Sequence, residues 1–268
     1  MWIGLEVSLG LYAAMIAGIF TLQRQLMYHP LKAISTPETY GLTGAQDLTI
    51  RSADGTALQL WVHPARKDFP TLVYFHGNAI HLGDRGPKFS GFTQAGLGLV
   101  AVSYRGFGKS QGSPSEVGIY ADARASIAYA REVLGVAQDK LIYFGESLGS
   151  GVAVQMASEK APGLLALEAA YTSVETRSAE LYPYVLGVRS LVLDKYDSLS
   201  KIANVHAPLL MLHGQLDPVI PLRHGQTLFA AANEPKQMVI YPEVHHADFS
   251  NAQIVTPLMD AVRKYKLI

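Results

Sequence analysis

The sequence predicts an α/β fold: a mostly parallel, twisted sheet with helices on both faces, behind an apolar N-terminal helix. Three observations carry this expectation. Short, near-continuous apolar runs recur at 72–75, 99–104, 141–144, 164–169, 209–212 and 238–241, as parallel strands buried on both faces require. Helical patterning fills most of the intervals, at 117–134, 150–158 and 222–231. In front of them, 47–52 and 57–63 flank the turn Ala53-Asp54-Gly55, which reads as a β-hairpin. Strand–helix alternation behind an antiparallel start implies helices wound on both sides of one sheet, with functional residues just after the strands, at their carboxyl ends.

Composition narrows the function classes. Of 268 residues, 49% are hydrophobic and 16% charged, so there is ample apolar side chain to bury and disorder is excluded. Lys and Arg total 22, as do Asp and Glu, and without a basic excess a dedicated nucleic-acid binder is not expected. The chain has no cysteine, which excludes disulfides, zinc–thiolate sites, iron–sulfur clusters and a thiol nucleophile.

The N-terminus stands apart. Residues 7–22 carry no charge, and residues 2–5 extend the apolar stretch with Glu6 as its interruption. A spanning helix needs about 20 apolar residues, so 2–22 sits at the lower edge of that length. A cleaved signal fits poorly, because no Lys or Arg precedes the run and no clear small-x-small site follows it before Arg24. The expectation is a single N-terminal membrane anchor over 1–24. A buried helix of a soluble fold is the alternative. Arg24 and Lys32 on the C-terminal flank place the following domain on the cytoplasmic side by the positive-inside rule. Residues 25–45, with Thr36-Pro37, Gly41 and Gly44, read as a connector, and 46–268 as the main domain.

The motif that carries chemistry is Gly145-Glu146-Ser147-Leu148-Gly149. Alone, G-x-S-x-G is a weak signal. Between a strand and a helix it describes a nucleophile elbow, in which a strained turn exposes the serine hydroxyl and aims the first helix amides at the reaction site. A serine hydroxyl needs a base to take its proton, and the base needs a carboxylate to orient it. Asp217 follows the run 209–212, and His246 follows 238–241, in the chain order Ser, Asp, His that this elbow requires. The adjacent pair His245-His246 is ambiguous from chemistry alone. No metal-ligand pattern accompanies it. The histidines at 29, 63, 81, 206 and 224 show no readable chemical partner. Attack on a carbonyl creates an oxyanion, for which the amides of Leu148 and of Asn78, in His76-Gly77-Asn78-Ala79 after the run 72–75, are the expected donors.

These residues resemble the α/β-hydrolase fold superfamily, and more narrowly the membrane-anchored serine hydrolases of the Bem46 type. The resemblance rests on Gln25-Leu26-Met27-Tyr28-His29-Pro30, Phe75-His76-Gly77-Asn78-Ala79, Tyr104-Arg105-Gly106-Phe107-Gly108-Lys109-Ser110, the elbow, and Leu212-His213-Gly214 with Asp217. It covers nearly the whole chain. In that group the base usually sits in Gly-His-Asn-Asp. Here the stretch is His245-His246-Ala247-Asp248, which aligns His246 with the base and departs at His245 and Ala247. The resemblance implies a small cap or none. The stretch 171–206 is long enough for a short helical flap, whose Tyr171, Leu181 and Tyr184 are candidates for an acyl pocket, with Tyr182, Val185 and Leu186 beside them. Tyr104-Arg105-Gly106 is expected to shape the pocket floor and helix packing.

The expectation is a serine hydrolase without metal or organic cofactor, acting on a small-molecule or lipid-like acyl ester or thioester. An acyltransferase or peptidase would use the same three groups, and an inactive membrane-tethered scaffold is the alternative from another class.

Overall fold

The computed structural model of the chain describes residues 2–32, 36–79, 81–246 and 248–268, with side chains described from residue 6 onward. Within the expected connector 25–45, residues 33–35 therefore lie outside the described residues, as does Ala247. The chain opens with helix α1 (Trp2–Met27). The hairpin follows: β1 (Gln46–Arg51) pairs antiparallel with β2 (Ala57–His63), Gln46 opposite Val62 and Arg51 opposite Ala57. The other strands are β3 (Thr71–Phe75), β4 (Gly98–Val102), β5 (Leu141–Glu146), β6 (Leu164–Glu168), β7 (Leu209–Gly214) and β8 (Lys236–Tyr241). They form one sheet in the order β1-β2-β4-β3-β5-β6-β7-β8. Only the pairings of β2 are antiparallel; β4 to β8 run parallel, β3 between β4 and β5.

Residues alternate across the sheet because successive strand side chains point to opposite faces. On one face Val73, Phe75, Tyr143, Leu165, Leu167 and Met211 pack under α3 (Glu116–Ala128), α4 (Leu148–Glu159) and α7 (Leu222–Ala231). On the other, Leu72, Tyr74, Ile142, Phe144, Ala166 and Leu210 pack under α2 (Gly86–Gln94) and α8 (Asn251–Lys264). With both faces covered, β3 to β7 are buried at every position, which is why they read as unbroken apolar runs.

Helices α2 and α8 lie outside the segments with clear helical patterning. In α2 two glycines and a proline give the sequence poor helical propensity. Phe89 and Phe92, one turn apart and fully buried, hold it by packing. In α8 an internal Pro257 masks the pattern, although Ser250 and Gln253 form a capping box that marks its start. The stretch 171–206 forms a small flap containing α5 (Val174–Leu181) and α6 (Val188–Leu191).

Helix α1 is joined to that flap. Arg24 donates two hydrogen bonds to Asp194 (2.8 and 3.1 Å), Tyr28 donates to the same carboxylate (3.1 Å), and Gln23 bonds the Leu191 carbonyl and the Leu193 amide. Tyr12, Ile16, Ile19, Gln23 and Met27 are half-buried along one side, while Leu9, Leu11, Phe20, Leu22 and Leu26 stay exposed. Among the described residues, Glu6–Met27 is the one helix long and apolar enough to cross a membrane, with a mean hydropathy of 1.3.

Beneath the carboxyl ends of β5 and β6 lies a buried charge cluster. Glu146 accepts hydrogen bonds from Tyr74, Arg85 and Lys88, and Lys88 also bonds Glu168 (2.8 and 2.9 Å). Burial opposes the charge of Glu146, but Lys88 and Arg85 outweigh it and hold the carboxyl below the usual glutamate range. At Glu168 burial dominates, and its carboxyl is pushed upward. A Lys88→Met variant leaves two buried carboxylates with one cation, which is expected to destabilise the fold by about 3–5 kcal/mol at neutral pH. Glu168, already pushed upward by burial, then loses its bonded cation and titrates higher folded than unfolded. The folded state retains protons that the unfolded chain releases, so stability falls as pH rises above the ordinary glutamate range. Urea unfolding should show a larger loss relative to the parent at pH 8 than at pH 5; an equal loss at both would contradict this account.

Candidate active site

The elbow is built by the turn from β5 into α4. Ser147 has φ +52° and ψ −120°, a conformation that L-residues adopt at a cost of order 1–3 kcal/mol and only when the surroundings enforce it. The flanking residues must be glycine. A Cβ on Gly145 would lie 2.4 Å from the Gly149 carbonyl oxygen, and one on Gly149 would lie 2.0 Å from that of Phe75. The Ser147 amide donates to the Glu168 carbonyl (2.9 Å), which fixes the turn to the end of β6.

The loops after β7 and β8 bring their side chains to the serine. His246 Nε2 lies 3.0 Å from Ser147 Oγ, and His246 Nδ1 lies 2.7 Å from Asp217 Oδ2. His245 is exposed, so of the two adjacent imidazoles His246 is the one that meets the hydroxyl. Asp217 Oδ1 accepts from the amides of Val219 and Ile220 (both 2.8 Å). Burial raises the carboxyl of Asp217, but hydrogen bonds from His246 and from these amides prevail, and it is held below the ordinary aspartate value. It therefore remains ionised across the neutral range and fixes the imidazole with the proton on Nδ1, leaving Nε2 to accept.

Two further histidines set the loops around this centre. The Tyr104 amide donates to His76 Nε2 (3.2 Å), so Nδ1 carries the proton and donates to the Gly77 carbonyl (2.6 Å). Burial lowers the His76 pKa to about 4, so the ring is neutral and the tautomer fixed. His213 Nε2 donates to the Ile220 carbonyl (2.9 Å) and braces the Asp217 loop, and burial lowers its pKa as well. The sequence also left His224 without a partner. The structure places it, buried, between Thr172 Oγ1 (2.9 Å) and Glu180 Oε2 (3.0 Å), where it ties α5 to α7.

A cavity of about 270 Å³ opens beside Ser147, and Leu148, Asn78 and Tyr171 border it near the hydroxyl. Leu148 opens α4, so its amide has no intrahelical partner. The Asn78 side chain donates to the Met27 carbonyl (2.7 Å) and its carbonyl accepts from His29 (2.9 Å). Asn78 is therefore held by the chain leaving α1, with its own amide in no hydrogen bond among the described residues. Tyr171 is buried and donates to the Leu148 carbonyl (3.1 Å). Leu181, with Tyr182 and Val185, borders the cavity. Tyr184, expected there as well, does not: the residue is 59% exposed, its ring meets that of Tyr182 edge-on, and its carbonyl accepts from Tyr12 of α1. Arg105 lies outside the site and serves packing, pairing with Asp122 of α3 and Asp54 of the hairpin turn.

The sequence did not disclose the partners of Glu146. Arg85 and Lys88 lie far from it in the chain, and no motif links them. A buried acid at the variable position of the elbow could have hinted at a cation below it.

Residues 67–196 match the family model described as serine aminopeptidase, S33. An uncharacterized protein of Mycobacterium tuberculosis is 34% identical over 257 residues, which cover 94% of this chain and 90% of that protein. Protein bem46 of Schizosaccharomyces pombe is 28% identical over 226 residues, covering 80% of this chain and 75% of its own. The esterase Pf2001 of Pyrococcus furiosus superposes with a TM-score of 0.69 at 18% identity, covering 89% of this chain and 97% of its own, which is a likeness of fold. With sheet order, elbow and near full-length relatives in agreement, the chain belongs to the α/β-hydrolase superfamily, within its Bem46-like group of hydrolases.

Proposed function

We propose that the chain is a serine hydrolase that cleaves carboxylic esters or thioesters with an apolar acyl part through an acyl-enzyme intermediate. One observation carries the reading: the unbroken string from Ser147 Oγ through His246 to Asp217, at 3.0 and 2.7 Å, beside an apolar cavity. Ser147 Oγ attacks the acyl carbonyl while His246 Nε2 takes its proton. The Leu148 and Asn78 amides hold the oxyanion. Collapse of the tetrahedral intermediate expels the alcohol or thiol, which receives the proton from His246. Water activated by the same imidazole then releases the acid and restores Ser147.

The matched family model is described as an aminopeptidase, and an amide substrate would use the same groups. An aminopeptidase must also hold a free ammonium, for which a carboxylate is the natural partner. Among the described residues, those bordering the cavity include no Asp or Glu, and Arg177 is their one charged side chain. That lining favours an uncharged acyl group. We further propose that residues 1–24 anchor the protein in a membrane, with 25–45 connecting them to a catalytic domain over 46–268. The support is the exposed apolar side of α1 opposite the side that packs on the flap.

A fluorophosphonate probe is expected to label the folded protein covalently and to fail with Ser147→Ala; labelling that survives this change would place the nucleophile elsewhere. His246→Ala is expected to lower kcat by at least about 10³-fold, whereas His245→Ala stays within a few-fold of the parent. For the anchor, alkaline carbonate should leave the full chain with the membrane pellet; recovery in the supernatant would refute it.

A further inference from the structure

One side of the cavity beside Ser147 is α1 itself. Ile19, Phe20, Gln23, Leu26 and Met27 border it, facing Leu181, Tyr182 and Val185 of the flap. This wall is fixed in place along its length. Tyr12 bonds the Tyr184 carbonyl and the Leu186 amide, Gln23 bonds Leu191 and Leu193, and Arg24 and Tyr28 converge on the buried Asp194. The polar group that α1 turns toward the cavity, the Gln23 amide, is thus already satisfied by the flap backbone and by the Phe20 carbonyl. Phe20 and Leu26, 40% and 56% exposed, border this apolar space.

The space is open at one side and its lining is mostly apolar, so it accepts an acyl chain well beyond acetyl. Leaving water for such a surface improves binding roughly fourfold per methylene. We infer that α1 is a specificity-determining wall of the acyl site, and that the substrate class is esters or thioesters of acyl chains long enough to lie between α1 and the flap. The carbonyl sits at Ser147 and the chain lies between α1 and the flap. This inference rests on the serine-hydrolase reading. It gives the N-terminal helix a role in recognition that a simple anchor lacks.

The test uses the full-length protein in lipid nanodiscs with p-nitrophenyl esters from acetyl to palmitoyl. The parent is expected to show kcat/KM rising from the acetyl ester toward the longer acyl esters; a profile that does not rise overturns the acyl-site inference. The double variant Phe20→Ala, Leu26→Ala is expected to lower the decanoyl-to-acetyl ratio of kcat/KM at least about tenfold. Leu22→Ala, on an exposed part of α1 away from the cavity, should leave that ratio unchanged. Leu26→Trp narrows the cavity at a half-exposed position and should shift the optimum to shorter chains, which provides a readout if the double variant unfolds. A double variant that hydrolyses both esters with the parental ratio, or an unshifted optimum in Leu26→Trp, overturns the role of α1 while leaving the hydrolase reading intact. A parent that neither hydrolyses any ester nor takes the fluorophosphonate label overturns the hydrolase reading itself.

Discussion

The tightness of the turn between β5 and α4 is the constraint on which the rest of the site depends. At that corner the chain leaves a fully buried strand and enters a helix without an intervening loop, so Ser147 adopts a positive φ and Gly145 and Gly149 are pressed against neighbouring backbone. Strain of this kind persists only where packing over-determines it. Here β3 and β6 flank the strand, α4 is buried along most of its length, and the Ser147 amide is bonded to the end of β6. The placing of the hydroxyl at the cavity and the free amides at the start of α4 follow from the same geometry.

Charge buried directly below the turn reinforces it. Glu146 cannot face solvent, because the strand face it occupies is covered by α2. It is stable there only because Arg85 and Lys88 reach it from the segment following the His76-Gly77-Asn78 loop. The elbow and the stretch that carries the Asn78 amide are therefore joined by ion pairs as well as by packing. Neutral His76 and His213 serve a similar end with less charge, each fixing a loop through one tautomer.

The N-terminal helix acts as more than an appendage in this arrangement. Its last turns border the cavity, and the chain leaving it holds Asn78 through Met27 and His29. In the proposed reading, the segment that anchors the protein also shapes its acyl site and supports an oxyanion donor. Membrane attachment and substrate choice would then be coupled through one rigid element.

The sequence by itself determined what depends on local pattern. Buried parallel strands need unbroken apolar runs, a hairpin needs its turn residues, and a strand–helix corner of this tightness needs glycine on both sides of Ser147, so the sheet, the hairpin and the elbow were all legible. Asp217 and His246 were legible as candidates through chain order. The choice between His245 and His246 was not legible from chemistry, because adjacent side chains differ only in direction, and direction is set by how the loop after β8 packs. Tertiary structure also decided α2, whose glycines and proline argue against a helix until Phe89 and Phe92 are buried. It decided the partners of Glu146, the absence of Tyr184 from the cavity, and the presence of α1 along it. Each of these joins segments far apart in the chain, and only the packed sheet, by fixing where the ends of its strands lie, brings such segments within contact distance.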